Sequence, residues 1–147
     1  MTLEENKKTA QRHIDLTWNK GHLALAEQLQ SKDFIYRSAL LGNSLPAGDF
    51  VLFIQKVRHA MPTLEAVVEE CIAEGERVVT WSTLIGTIER PVDGYPVSDR
   101  VLSYSLVAFW TFNSSGEIRE ICTLLDMENV RAQLGLERTE QAHPALA

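Results

Sequence analysis

Several features that would announce a function are missing from this 147-residue chain, and each absence excludes a class. No apolar run approaches the roughly 20 residues that a membrane-spanning helix needs. The polar, charged N-terminal segment lacks the apolar centre of a secretory leader. Lys and Arg form no cluster, and 14 basic against 20 acidic residues leave a formal net charge of −6. That excludes the electrostatic footprint of a nucleic-acid or anionic-membrane partner. Cys71 and Cys122, the only cysteines, lie in apolar, strand-like surroundings without CxxC spacing, and no His/Cys group has zinc-ligand spacing. Free buried thiols in a reducing cytoplasm, and no metal site, are the expectation. Neither an internal repeat nor a linker breaks the chain. We expect one domain over residues 1–136 and a polar, disordered tail over 137–147. A hydrophobic fraction of 45% at this length is enough for a core of ordinary size.

The first half reads in period 3.6. Thr2 and Glu5 form a capping-box pattern for a helix running to about Lys20, with Gly21 as its stop. Ala10, His13, Ile14, Thr17 and Trp18 supply its buried stripe. A short helix follows over about His22–Gln30, then a strand from Asp33 to Ser38, then a loop from Leu40 to Gly48. Asp49 is placed to cap a third helix over Phe50–Ala60, closed by Met61-Pro62. From Leu64 the period becomes 2. Strands are predicted over Leu64–Ala73 and Arg77–Ile88 around the Glu74-Gly75-Glu76 turn. An extended loop spans Glu89–Asp99, and a long strand runs over Arg100–Phe112 to the Asn113–Gly116 turn. Helices followed by a meander of long strands give an α+β fold: a curved antiparallel sheet wrapped around N-terminal helices, forming a cone with an apolar pocket.

The last strand, about Glu117–Leu125, ends on Asp126, just before a short helix over Met127–Leu134 and Gly135. In an unbroken strand Ile118, Glu120, Cys122, Leu124 and Asp126 share one face. Two readings of Asp126 stay open. A carboxylate beside apolar walls resists ionisation and serves as an acid or base. The same position is also where the N-cap of the following helix belongs, and caps are commonly Asp.

The segments Val57-Arg58-His59-Ala60-Met61-Pro62, Ile72-Ala73-Glu74-Gly75-Glu76-Arg77-Val78-Val79, Gly86-Thr87, Gly116-Glu117-Ile118-Arg119-Glu120, Asp126 and Gln133-Leu134-Gly135 resemble the SnoaL-like polyketide cyclases of the nuclear transport factor 2-like superfamily. The resemblance covers roughly Glu4 to Leu136. It implies a cone-shaped α+β fold, a homodimer, and cofactor-free ring closure by intramolecular aldol condensation, with Asp126 as general acid/base. Relatives of the fold also include isomerases, dehydratases, epoxide hydrolases and proteins without known activity, so fold alone does not name a reaction. The chain departs from the pattern at several positions. Ile88 stands where Gly-Thr-His is frequent, and Cys122 where a Trp commonly follows the Glu. Arg100–Phe112 contains no His, and Pro96-Val97-Ser98 replaces a Pro-Thr-Gly turn.

Candidate pocket walls are Trp18, Tyr36, Phe53, Met61, Trp81, Tyr104 and Trp110, with Cys122 enlarging the pocket where relatives place an indole. Tyr36 and Tyr104 are the best donors to a carbonyl or enolate oxygen. His59 is a candidate pocket residue, and His13 reads rather as a core or cavity-edge histidine. His22 reads as solvent-exposed and His143 falls in the tail. The expected activity is cyclase- or isomerase-type proton transfer on a hydrophobic carbonyl compound. The alternatives are a binding or dimerisation module, and a hydrolase or dehydratase with an Asp-activated water.

Overall fold

The computed structural model describes residues 2–39, 42 and 44–136. The expected tail lies outside the described residues, as does His143. Helix α1 spans Leu3–Ile14. Its Thr2 hydroxyl accepts from the Glu5 amide at 3.1 Å, and the Glu5 carboxylate accepts from the Thr2 amide at 3.0 Å. The capping box thus satisfies two amides that have no partner inside the helix. The expected single helix to Lys20 loosens after Ile14 into a π-helical turn, Asp15–Lys20, ended by Gly21 at φ 68°. A side chain at Gly21 would also meet the Arg58 guanidinium, whose Nε would lie 2.7 Å from an added Cβ. The positive φ is what favours glycine there, since the Arg58 side chain can shift.

Helix α2 is a single turn, Leu23–Glu27, shorter than expected, because β1 begins at Gln30 and runs to Ser38. The loop expected before the third helix contains a short strand, β2 (Ser44–Pro46). Helix α3 then spans Ala47–Ala60, beginning ahead of Asp49. Asp49 therefore lies in its first turn, where a carboxylate still favours the helix dipole. The remaining elements are β3 (Glu65–Glu74), β4 (Arg77–Gly86), β5 (Leu102–Phe112), β6 (Ile118–Leu125) and α4 (Met127–Leu134). No helix among the described residues is long and apolar enough to cross a membrane.

The six strands form one curved sheet in the order β2-β1-β6-β5-β4-β3. The four long strands make the expected meander, but β1 joins β6 in parallel, so the sheet is mixed rather than wholly antiparallel. Alternation along β4 and β5 sorts side chains to two faces. Val78, Thr80, Ser82 and Leu84 face the helices with Leu102, Tyr104, Leu106, Ala108, Trp110 and Phe112, and all are buried. Their counterparts Val79, Trp81, Thr83 and Ile85 look away, beside Ser105, Val107 and Phe109. The core lies between the inward face and α1, the π-helical turn and α3, with Phe50, Ile54 and Val57 the deepest side chains of α3.

Register decides the last strand. Thr111 pairs Glu120 while Phe112 pairs Ile118, so Arg119 is an extra residue in β6. This bulge reverses the parity assumed for an unbroken strand. Ile118 points inward, and beyond the bulge so do Ile121, Thr123 and Leu125, while Cys122 and Leu124 face outward.

Candidate functional site

The inward faces enclose a cavity of about 20 Å³. That is room for a water molecule and far less than the ligand-sized pocket expected from the cone. Its walls come from nearly every element. The α1 stripe and the π-helical turn give His13, Ile14, Thr17 and Trp18. Strands β1, β4, β5 and β6 give Tyr36, Thr80, Ser82, Trp110, Ile121 and Thr123, and α3 adds Phe50. No lining residue among those described is Asp, Glu, Lys or Arg. Polarity inside comes from hydroxyls and one imidazole. Trp110 Nε1 donates to Thr80 Oγ1 at 2.9 Å, which satisfies both groups in the core. Burial pushes the Tyr36 phenol up from its ordinary value, against a hydrogen bond with Thr123. Burial raises Tyr104 likewise, with the neighbouring Tyr36 adding to it. Both phenols are neutral donors at pH 7.

Asp126 is elsewhere. It is exposed, and its Oδ1 accepts from the Asn129 amide at 3.1 Å as the N-cap of α4. Helix α4 is in turn held to β5 by Gln133, whose side chain accepts from the Ser103 amide at 2.9 Å and donates to the Ser103 carbonyl at 2.7 Å. Among the other expected pocket residues, Trp18, Tyr36 and Trp110 come together around the cavity. Phe53 stands beside them, half-buried, edge-on to Trp18 at 6.2 Å and 5.6 Å from Tyr36. Tyr104 and Met61 are buried in the core without lining the cavity. His59 is exposed on α3, and its carbonyl accepts from Arg90 at 2.7 Å. Trp81 faces outward with 41% of its surface exposed and donates to Ser105 Oγ at 3.2 Å. Cys122 is buried on the outward face, between Phe109 on β5 and Arg37 on β1. Glu120, next to it, accepts from Arg37 Nε at 2.8 Å.

Residues 8–134 match the family model described as SnoaL-like polyketide cyclase. The chain belongs to that family. Among curated proteins none matches this SnoaL-like chain. Solved structures agree on its fold. AclR of Streptomyces galilaeus, for which a hydroxylase role has been suggested, is 22% identical with a TM-score of 0.81, covering 94% of this chain and 89% of AclR. A candidate SnoaL-like polyketide cyclase from a Jannaschia species is also 22% identical with a TM-score of 0.81, covering 92% and 94% of the two chains. TsrD of Streptomyces laurentii is 17% identical with a TM-score of 0.80, over 93% and 99%.

Against that family background His13 stands out in this SnoaL-like chain. The sequence placed it on the buried stripe of the first helix as a core or cavity-edge histidine, and it is at the cavity that it lies. It is 1% exposed and lines the cavity, with Nε2 2.9 Å from Gln30 Oε1. The partner could not be found from sequence, because Gln30 reads as the end of a helix and instead opens β1. Burial brings the imidazole down from an ordinary 6.5 to about 4, and the Gln30 hydrogen bond works weakly the other way. The unfolded chain therefore takes up this proton at higher pH than the native protein does. The stabilisation is complete above pH 6.5 and is lost as pH falls toward 4. At 1.36 kcal/mol per pH unit the loss amounts to about 3 kcal/mol. Urea midpoints measured from pH 7.5 to 4 should fall more steeply for the wild type than for His13→Phe. Parallel slopes would show that His13 does not titrate on unfolding.

Proposed function

We propose that this protein acts without a cofactor on an uncharged, hydrophobic carbonyl compound bound inside the cone, moving a proton in a ring closure or isomerisation. The observation that carries the reading is the chemistry of the cavity: apolar and aromatic walls, neutral hydroxyls, and no formal charge among the described lining residues. Such a surface favours a ligand that is itself neutral and apolar, since an ionic one would lose its hydration without recovering it. In this reading the base removes a proton from the carbon beside a carbonyl. The enolate carbon then attacks a second carbonyl to form the carbon–carbon bond, and the new alkoxide takes up the proton. Asp126 is the base that the family resemblance supplies, although it caps α4 outside the cavity lining. Tyr36, whose phenol lines the cavity, is the neutral donor proposed for the carbonyl oxygen. A cavity of about 20 Å³ does not hold such a compound as it stands, so binding requires the cone interior to expand.

The reading is tested by α-proton exchange of 2-tetralone in deuterated water, followed by NMR. Exchange faster than in buffer at equal pH supports it. Binding of the ketone without exchange supports instead a ligand-binding module of the same fold. The specific observation in favour of that second reading is that Asp126 is exposed and already engaged as a helix cap.

The outward sheet face bears on partners. Its centre is a contiguous patch: Ile72 beside Val79 beside Phe109 beside Cys122 in one row, and Trp81 beside Val107 beside Leu124 in the next. Ile72, Trp81, Phe109 and Leu124 are 37–61% exposed. Large apolar patches rimmed by polar groups mark association sites, and here Glu70, Arg77 and the Arg37–Glu120 pair form the rim. A second copy of this chain is the proposed occupant. Sedimentation at micromolar concentration should give a dimer, and Trp81→Glu with Phe109→Glu should give a folded monomer. A wild type that is monomeric throughout would remove the proposal.

A further inference from the structure

The cavity contains one basic nitrogen that the reading above leaves unused. His13 is boxed by aromatic rings: Trp110 edge-on at 5.4 Å, Phe50 stacked at 5.9 Å and Phe34 tilted at 6.3 Å. Nε2 lies 2.9 Å from Gln30 Oε1; with the amide oxygen on that side, the matching tautomer carries its proton on Nε2 and leaves Nδ1 as an acceptor. Among the described residues the contact to Gln30 is the only hydrogen bond of this ring. Of the neighbouring hydroxyls, Thr17 Oγ1 commits its hydrogen to the His13 carbonyl at 2.8 Å, while Thr80 Oγ1 accepts from Trp110 Nε1 and keeps its own hydrogen. With no carboxylate in the described lining, the His13 imidazole is the most basic group among the lining residues.

We infer that His13 Nδ1 is the anchoring acceptor for the hydroxyl of an uncharged enol or phenol bound in the cone, with Gln30 as the positioning residue that holds the ring in the accepting tautomer. The inference rests on the proposal that the cone interior is where the ligand binds, and it adds the group that the ligand must present. A neutral donor is required by the surroundings. The aromatic box and the absence of a counter-charge resist protonation of the ring, so the bond forms between two neutral partners rather than as an ion pair. A hydroxyl on a flat apolar skeleton fits such a box, and a methyl in its place forfeits the bond.

Phenol and toluene separate these claims. Both are titrated into the wild type and into Phe53→Ala, which removes the half-buried ring packed behind the cavity-lining Trp18 and Tyr36. Binding is read by NMR, with the ring nitrogens of His13 observed directly. Phenol should bind more tightly than toluene by about three- to tenfold, the ordinary worth of a neutral hydrogen bond. The Nδ1 resonance should move toward the hydrogen-bonded position with phenol and stay in place with toluene. His13→Phe should abolish phenol's advantage while still binding toluene. Should His13→Phe fail to fold, the wild-type nitrogen resonance decides alone. Binding of both compounds with an unmoved Nδ1 resonance overturns the role of His13 and leaves the cone as the ligand site. If neither compound binds either protein, the cone reading and this inference fall together.

Discussion

Trp110→Ala should destabilise this protein by about 3–5 kcal/mol, the usual cost of emptying a fully buried aromatic site. The indole is 2% exposed, packs edge-on against His13 at 5.4 Å, and donates to Thr80 at 2.9 Å. The alanine variant loses all three interactions and leaves the Thr80 hydroxyl in the core without that partner, which adds a desolvation cost to the cavity cost. Trp110→Phe separates the two contributions. It keeps most of the packing and loses only the N–H, so it should cost less than half as much. Urea denaturation of both variants at pH 7.5 is the measurement. A loss below 1 kcal/mol for the alanine variant would show that the cone interior is not packed around this ring.

The second large effect concerns turnover. Asn and Asp are about equal as N-caps, so Asp126→Asn should leave the melting temperature almost unchanged. If Asp126 is the acid/base group, the same substitution should slow 2-tetralone exchange roughly 100- to 10,000-fold. Asp126→Ala should lose the exchange and also about 0.5–2 kcal/mol of stability, because the Asn129 amide loses its acceptor at 3.1 Å. The pair of variants thus separates cap from catalyst. An Asn variant as active as the wild type confines Asp126 to the cap, and the search for the base moves into the cone.

Much of this protein was legible in its sequence because the responsible physics is local. The Thr2–Glu5 capping box, the Gly21 and Gly135 stops, the Glu74–Glu76 turn and the change from period 3.6 to period 2 after Leu64 each depend on neighbours within a few residues. The element order that follows from them is sufficient for the SnoaL-like α+β fold. The cap at Asp126 was likewise available from the chain alone, as one of the two readings of that residue.

What only the tertiary structure decided were quantities set by partners far apart in the chain. Arg119 becomes a bulge only against β5, where Thr111 and Phe112 skip it, and that one residue turns Cys122 outward and Thr123 inward. The same register sends Trp81 to the outer face and Trp110 to the inner one, though both lie in strands with the same alternation. His13 meets its hydrogen-bond partner in Gln30, 17 residues later, because Gln30 opens β1 instead of ending α2. Strand alternation tells which residues share a face, but the face that meets the helices is chosen by pairing and packing, and a one-residue shift exchanges the two.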